Sequence, residues 1–219
     1  MWNMVSDTYL NLSHYLQCLL HFWHSCRVSP LRIFKVIRLP IRALFSLVRK
    51  FPDLRVVYLV RDPRAILMSQ RAQFGHAPKA EDFCRMVVDD ARHMKLLRET
   101  FPGRAVTVRY EDISNDPLEW TRRLYRALQI GMTPKVESGV RRMTSASRKQ
   151  EGAYSSFRAD SKSAASNWRT EVSYDAVRQN DAVCGEAYEW LGYKAVPSET
   201  VLRNRNVSLT GPSERLSFL

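Results

Sequence analysis

Glycine is scarce in this chain: its 219 residues include eight, and none precedes residue 75. That excludes from the N-terminal third a glycine-rich turn of the kind whose backbone amides cradle phosphates. Cysteine is scarce too. Cys18, Cys26, Cys84 and Cys184 form no CxxC pair, and no His/Cys cluster has zinc spacing. His14, His21, His24, His76 and His93 make neither a metal nor a triad pattern and are assigned no role. Four cysteines allow three full pairings, or four buried thiols. No run of 18 apolar residues occurs, as a membrane-spanning helix would need. The apolar cluster Tyr15 to Trp23 is interrupted by Gln17, His21 and His24 and lacks a basic leader, unlike a signal peptide. It reads as an amphipathic helix or a segment packed on the core. Internal repeats and low-complexity tracts are also missing.

What is present suits a folded domain. Hydrophobic residues make up 45% of the chain and charged residues 26%, enough for a sizeable core under a polar surface. The 34 basic and 22 acidic residues give a net charge of +12, which favours polyanionic partners such as phosphorylated cofactors, acidic glycans, nucleic acid or anionic membranes. The basic residues are interspersed with acidic ones and no nucleic-acid motif occurs, so nucleic acid ranks last. Two short sequons, Asn11-Leu12-Ser13 and Asn206-Val207-Ser208, are weak pointers to a secretory route.

The pattern alternates strands and helices. Phe34 to Leu39 reads as a short strand, and Leu44, Leu47, Val48 and Phe51 repeat at helical spacing. Arg55 to Val60 is a nearly continuous β-branched and apolar run, as in a parallel strand covered on both faces. Asp62-Pro63 supplies an acidic N-cap and a proline for a helix start. A helix over 81–100 places Phe83, Val87, Ala91, Met94 and Leu97 on one stripe, and Phe101-Pro102-Gly103 ends it. Ala105 to Tyr110 is a second strand. Asp116-Pro117-Leu118-Glu119 is a capping box opening a helix that buries Leu124 and Leu128. Ser- and Ala-rich 144–166 reads as a long loop, 174–191 as a helix stopped by Gly192, and 197–219 as a frayed polar tail. The expectation is an α/β domain with a doubly wound parallel sheet.

In such sheets ligands sit at the carboxyl ends of strands. The strand ending at Val60 runs into Arg61-Asp62-Pro63-Arg64, where a helix start supplies amide donors and partial positive charge. Arg61 and Arg64 add guanidinium forks suited to phosphate, and Ser69 lies farther along the same helix. The residues alone support a phosphate or sulfate site. They equally support an ordinary strand-to-helix turn whose arginines cap and solvate it.

Leu59-Val60-Arg61-Asp62-Pro63-Arg64-Ala65 with Ser69 resembles the 3′-phosphate-binding motif of carbohydrate sulfotransferases, best in the branch that sulfates galactose or N-acetylglucosamine at O6. Val108-Arg109-Tyr110-Glu111-Asp112, Asp116-Pro117-Leu118, Asn167-Trp168-Arg169, and Cys184 with Leu191-Gly192-Tyr193 follow in that family's order. The resemblance spans about residues 30–195 and implies a P-loop-like sulfotransferase fold, incomplete at the N-terminus, over 1–196, with 197–219 as a tail. It places the 3′-phosphate of 3′-phosphoadenosine 5′-phosphosulfate against Arg61 and Ser69, with Arg64 as a further contact; Arg158, as another contact, and Trp168, near the adenosine, read either so or as parts of a merely basic loop. Arg109 to Asp112 read equally as a structural arginine–carboxylate pair. Cys84 and Cys184 fall where the family carries cysteines, so in an oxidising lumen they are expected in a disulfide sooner than Cys18.

The same resemblance implies a sugar acceptor, no metal, and a Golgi location through a membrane anchor that this chain lacks. The family's 5′-phosphosulfate loop is not found ahead of Arg61, so a truncated product beginning at an internal methionine is expected; a non-catalytic binder of nucleotide or sulfated glycan is the alternative. Arg38, in Val36-Ile37-Arg38-Leu39-Pro40, stands where cytosolic sulfotransferases carry a catalytic histidine. A permanently charged guanidinium cannot act as a base, which leaves Arg38 a role in stabilising the transferring group and the catalytic base unassigned.

Overall fold

The computed structural model describes residues 3–37, 39–144 and 160–219, with side chains from Leu12 onward. The chain divides into two compact units, Met1–Leu39 and Pro40–Leu219. The first contains helix α1, Asn3–Val28. Leu12, Tyr15, Leu16, Leu19, Leu20 and Trp23 recur on it at intervals of three and four, and all are exposed. Residues 34–37 are irregular rather than a strand, and Arg38 lies outside the described residues.

The second unit opens with a 3₁₀ turn, Ile41–Ala43, and α2, Leu44–Lys50. There follow β1, Val56–Val60, α3, Pro63–Phe74, α4, Ala80–Thr100, and β2, Ala105–Arg109. β1 and β2 pair in parallel, from Val56 opposite Ala105 to Val60 opposite Arg109, so α3 and α4 form the crossover that a parallel pair requires. Among the described residues the sheet has two strands. Val56 and Val60 are buried, whereas Val57 and Leu59 stand 41% and 56% exposed. β1 is therefore covered on one face and not on both. An unbroken apolar run fixes a strand's greed for cover, not whether cover is supplied.

The apolar stripe of α4 is the centre of the core. Phe83, Val87, Ala91, Met94 and Leu97 are all buried, in one cluster with Cys184, Ala187, Tyr188 and Leu191 from α10, Tyr174–Leu191. Cys84 and Cys184 form a disulfide between these two helices. It closes a loop with a sequence separation of 100, for which chain entropy alone gives roughly 4–5 kcal/mol.

Between β2 and α10 lie α5, Tyr110–Asn115, α6, Pro117–Ala127, α7, Pro134–Thr144, α8, Ser161–Ser166, and α9, Trp168–Glu171. The Asp116 side chain caps α6 by accepting from the Glu119 amide, as its capping box predicts. Leu124 and Leu128 are only half-buried, however, so that helix lies at the surface. Within the expected loop over 144–166, Asp160 caps α8 by accepting from the amides of Lys162 and Ser163. Residues 145–159, Arg158 among them, lie outside the described residues.

The C-terminal segment is packed, not frayed. Gly192 ends α10 with φ of 69°, and a Cβ there would lie 2.5 Å from the Gly211 carbonyl oxygen. The Gly211 amide donates to the Gly192 carbonyl at 2.8 Å, and Tyr193 and Thr210 form an antiparallel bridge. α11, Glu199–Arg203, buries Leu202; Leu209 and Leu216 are buried farther on, and the Leu219 amide donates to Thr107 of β2. Few apolar residues anchor this segment, and their seven-residue spacing is neither a strand period nor carried on one helix. Replacing Cys84 and Cys184 together by alanine is expected to lower unfolding stability by about 2–5 kcal/mol, seen as a lower urea midpoint. An unchanged midpoint would show that the α4–α10 packing does not need the cross-link.

Candidate functional site

β1 and β2 end side by side, and the chain leaving each turns directly into a helix. The two turns, 61–64 and 109–112, thus face the same end of the sheet. Asp62 shapes the first. Its Oδ1 accepts from the Arg64 amide at 2.9 Å, capping α3, and Pro63 fills the first helical position without a wasted donor.

Arg64 folds back onto that cap. Its Nε and Nη2 donate to the two Asp62 carboxylate oxygens at 2.9 and 2.8 Å, and its Nη1 reaches Asp181 at 3.1 Å. The guanidinium packs on the rings of Trp168 and Tyr188, with its carbon 5.3 and 4.7 Å from their centroids, and is fully buried. Burial pulls its pKa down, but the Asp62 charge and hydrogen bonds outweigh that and the net shift is upward. Asp181 also accepts from the Tyr188 hydroxyl at 2.7 Å and the Val196 amide at 2.7 Å. Arg64, expected to contact phosphate, is committed to two carboxylates. Trp168, expected near an adenosine, is buried in the cluster that contains Ala65 and Val177. The Asp62 carboxylate also takes an amide at the start of α3, so an anion centred on those amides would meet its charge.

Arg61 has a different environment. It is half-buried, its guanidinium carbon lies 4.7 Å from the centroid of the Tyr110 ring, and its Nε is buried without a hydrogen-bond partner. Among the described residues no carboxylate pairs with it. Ser69, half-buried on α3, makes no side-chain hydrogen bond among them either. Arg61 and Ser69 are the expected site residues left with unspent hydrogen-bonding capacity; Arg38 and Arg158 lie outside the described residues.

The second turn braces the first. Glu111 accepts from the Asp62 amide at 3.1 Å and from the Tyr193 hydroxyl at 2.7 Å. Burial, then the nearby Asp62 charge, raises its pKa. Arg109 pairs with Asp112 at 3.0 Å and donates to the carbonyls of Leu191, Gly192 and Gly211. Arg109 and Asp112 form the arginine–carboxylate pair that the sequence allows, and the partners of Glu111, Asp62 and Tyr193, were not legible in it. The signal was the pair Glu111 and Tyr193, separated by 82 residues and meaningful only once both strands end together.

Two variants test this frame. Asp62→Ala leaves the buried Arg64 with Asp181 alone and is expected to cost roughly 3–5 kcal/mol of stability. A Glu111 that stays protonated longer when folded makes the native state bind more protons than the unfolded chain. Stability therefore falls as pH rises from the ordinary glutamate range through the raised native value, and Glu111→Gln is expected to abolish that contribution. Parallel stability–pH curves for the two proteins would contradict it.

The chain is similar in sequence to known proteins. Residues 13–134 match a family described as "Sulfotransferase family". The chain is 30% identical over 207 residues to "Carbohydrate sulfotransferase 3" of Rattus norvegicus, covering 84% of this chain and 44% of that protein. It is 32% identical over 178 residues to the Homo sapiens protein of that name, covering 72% and 37%. Against "Carbohydrate sulfotransferase 1" of Danio rerio the figures are 31% over 222 residues, 89% and 52%. The chain spans about half the length, or less, of these relatives. With most of its length aligned to them and its strand-end turns built as described, the chain belongs to the sulfotransferase family.

Proposed function

We propose that this chain carries the 3′-phosphate half of the nucleotide site of a carbohydrate sulfotransferase. The whole enzyme would move a sulfuryl group from 3′-phosphoadenosine 5′-phosphosulfate to a sugar hydroxyl, O6 of N-acetylglucosamine or galactose, in the Golgi lumen. The relatives' names support a carbohydrate acceptor. In this reading β1 and β2 are two strands of a doubly wound, P-loop-like sheet. The observation that carries the proposal is the contrast between the two arginines of the turn. Arg64 is neutralised by Asp62 and Asp181, while Arg61 keeps a buried Nε with no partner among the described residues at the strand end. A phosphate oxygen is a fitting partner for that nitrogen.

The roles follow from the chemistry. Arg61 and the Ser69 hydroxyl are proposed to hold the 3′-phosphate; Arg158 and Arg38, assigned roles by the family resemblance alone, lie outside the described residues. Asp62, Arg64 and Glu111 position the turn. Transfer also needs donors on the 5′-phosphosulfate, where charge develops on the leaving oxygen. No glycine-rich turn before Arg61 offers them. The 219-residue chain by itself is therefore proposed to bind nucleotide without transferring sulfate.

Titration with adenosine 3′,5′-bisphosphate tests the site. Binding is expected to weaken with salt. Arg61→Ala and Ser69→Ala each remove hydrogen bonding to a charged phosphate, about 1.5–3 kcal/mol or roughly 10- to 150-fold in affinity, and Arg61→Ala removes a positive charge as well. Affinity untouched by Arg61→Ala would move the site elsewhere. Transfer of labelled sulfate to a sugar by this chain alone would refute its proposed inactivity.

A further inference from the structure

We infer that Asn206 is an acceptor for N-linked glycosylation. The inference rests on the secretory location proposed above, and its support comes from how the fold presents the sequon Asn206-Val207-Ser208. These three residues lie between α11 and the bridge at Thr210, and all three are exposed. The Val207 amide donates to the Asn204 carbonyl at 3.1 Å, and the Asn206 amide to the Asn204 side-chain oxygen at 3.0 Å. Those bonds make a tight turn with Asn206 at its outer corner.

The turn is fastened from beneath. The guanidinium of Arg169, a buried residue, donates to the carbonyls of Val201, Leu202, Asn204 and Val207 at 2.6–2.9 Å. Four backbone oxygens are thus drawn inward by one cation, while Leu202 is buried and the side chains of residues 203–208 are exposed. The Asn206 carboxamide has no hydrogen-bond partner among the described residues, so modifying it breaks nothing. Ser208, which a sequon requires, has an exposed hydroxyl bonded only within its own loop, to Thr210.

Two further observations favour this position. The Cys84–Cys184 disulfide is buried, as suits an oxidising compartment, where N-glycans are also attached. The other sequon, Asn11-Leu12-Ser13, lies inside α1, where positions i and i+2 do not face each other. In the reaction, the Asn206 amide nitrogen bonds to the anomeric carbon of a lipid-diphosphate-linked oligosaccharide. The bond from that carbon to the diphosphate breaks, the lipid diphosphate leaves, and the amide loses one proton. An oligosaccharide there would hold solvent against the 204–208 loop and keep that surface free of protein contacts.

The chain should be expressed in cultured human cells behind a cleavable secretion signal. Occupancy is then read by mass spectrometry on all copies shielded from added protease by the membrane, whether or not they fold well. Enzymatic release of N-glycans is expected to increase mobility and convert Asn206 to aspartate. Asn206→Gln and Ser208→Ala abolish the shift, and Asn11→Gln leaves it. Shielded chains carrying an unmodified Asn206 would overturn the inference. Because the added signal delivers the chain to the lumen, that failure is distinct from failure of the proposed location, which is read from where the full-length protein resides in its own cells.

Discussion

The buried pair between Asp62 and Arg64 is the constraint from which the rest of this structure follows. A carboxylate that caps a helix and neutralises an arginine two residues later can hold only one backbone path between strand and helix. Once that path is set, the Asp62 amide is aimed at Glu111, and the two strand ends are tied together. The same Arg64 reaches Asp181 on α10, so the turn is also fixed to the helix that carries the disulfide. Exposed ion pairs contribute little, but this one is buried and shared among three elements, so removing one member strands the others.

Arginines recur in this role. Arg64 organises the first strand-end turn, Arg109 gathers the end of α10 and the C-terminal segment, and Arg169 gathers the loop after α11. Arg169 meets carbonyls rather than a carboxylate, and burial, followed by the charge of Arg64, lowers its pKa. The planar fork suits this work, because several donors leave one group in fixed directions. Much of the chain's net positive charge is surface, but these three cations are internal fittings. Arg61 differs from them in having no acceptor among the described residues, and the proposed phosphate site depends on that difference.

The sequence disclosed elements whose signals are local. The stripe from Phe83 to Leu97 and the caps at Asp62, Asp116 and Gly192 need only a few neighbouring residues to be read, and each is found where it was expected. Signals that depend on distant partners stayed hidden. Arg64 looks like a phosphate ligand until Asp181 arrives from 117 residues away. The docking of 197–219 depends on Leu202, Leu209 and Leu216, whose seven-residue spacing runs mostly outside any helix, and on a bridge to Tyr193. The exposure of Val57 and Leu59 was unreadable for the opposite reason, since an apolar run describes what a strand demands and not what its surroundings provide.

The central claim is that Arg61 and Ser69, and not Arg64, receive the nucleotide's 3′-phosphate. The most direct measurement is a diffraction structure of this chain grown with adenosine 3′,5′-bisphosphate. The account predicts the 3′-phosphate within hydrogen-bonding distance of the Arg61 guanidinium and the Ser69 hydroxyl, with the Asp62–Arg64 pair intact. A phosphate that instead displaces Asp62 from Arg64, or binds away from the ends of β1 and β2, would contradict it.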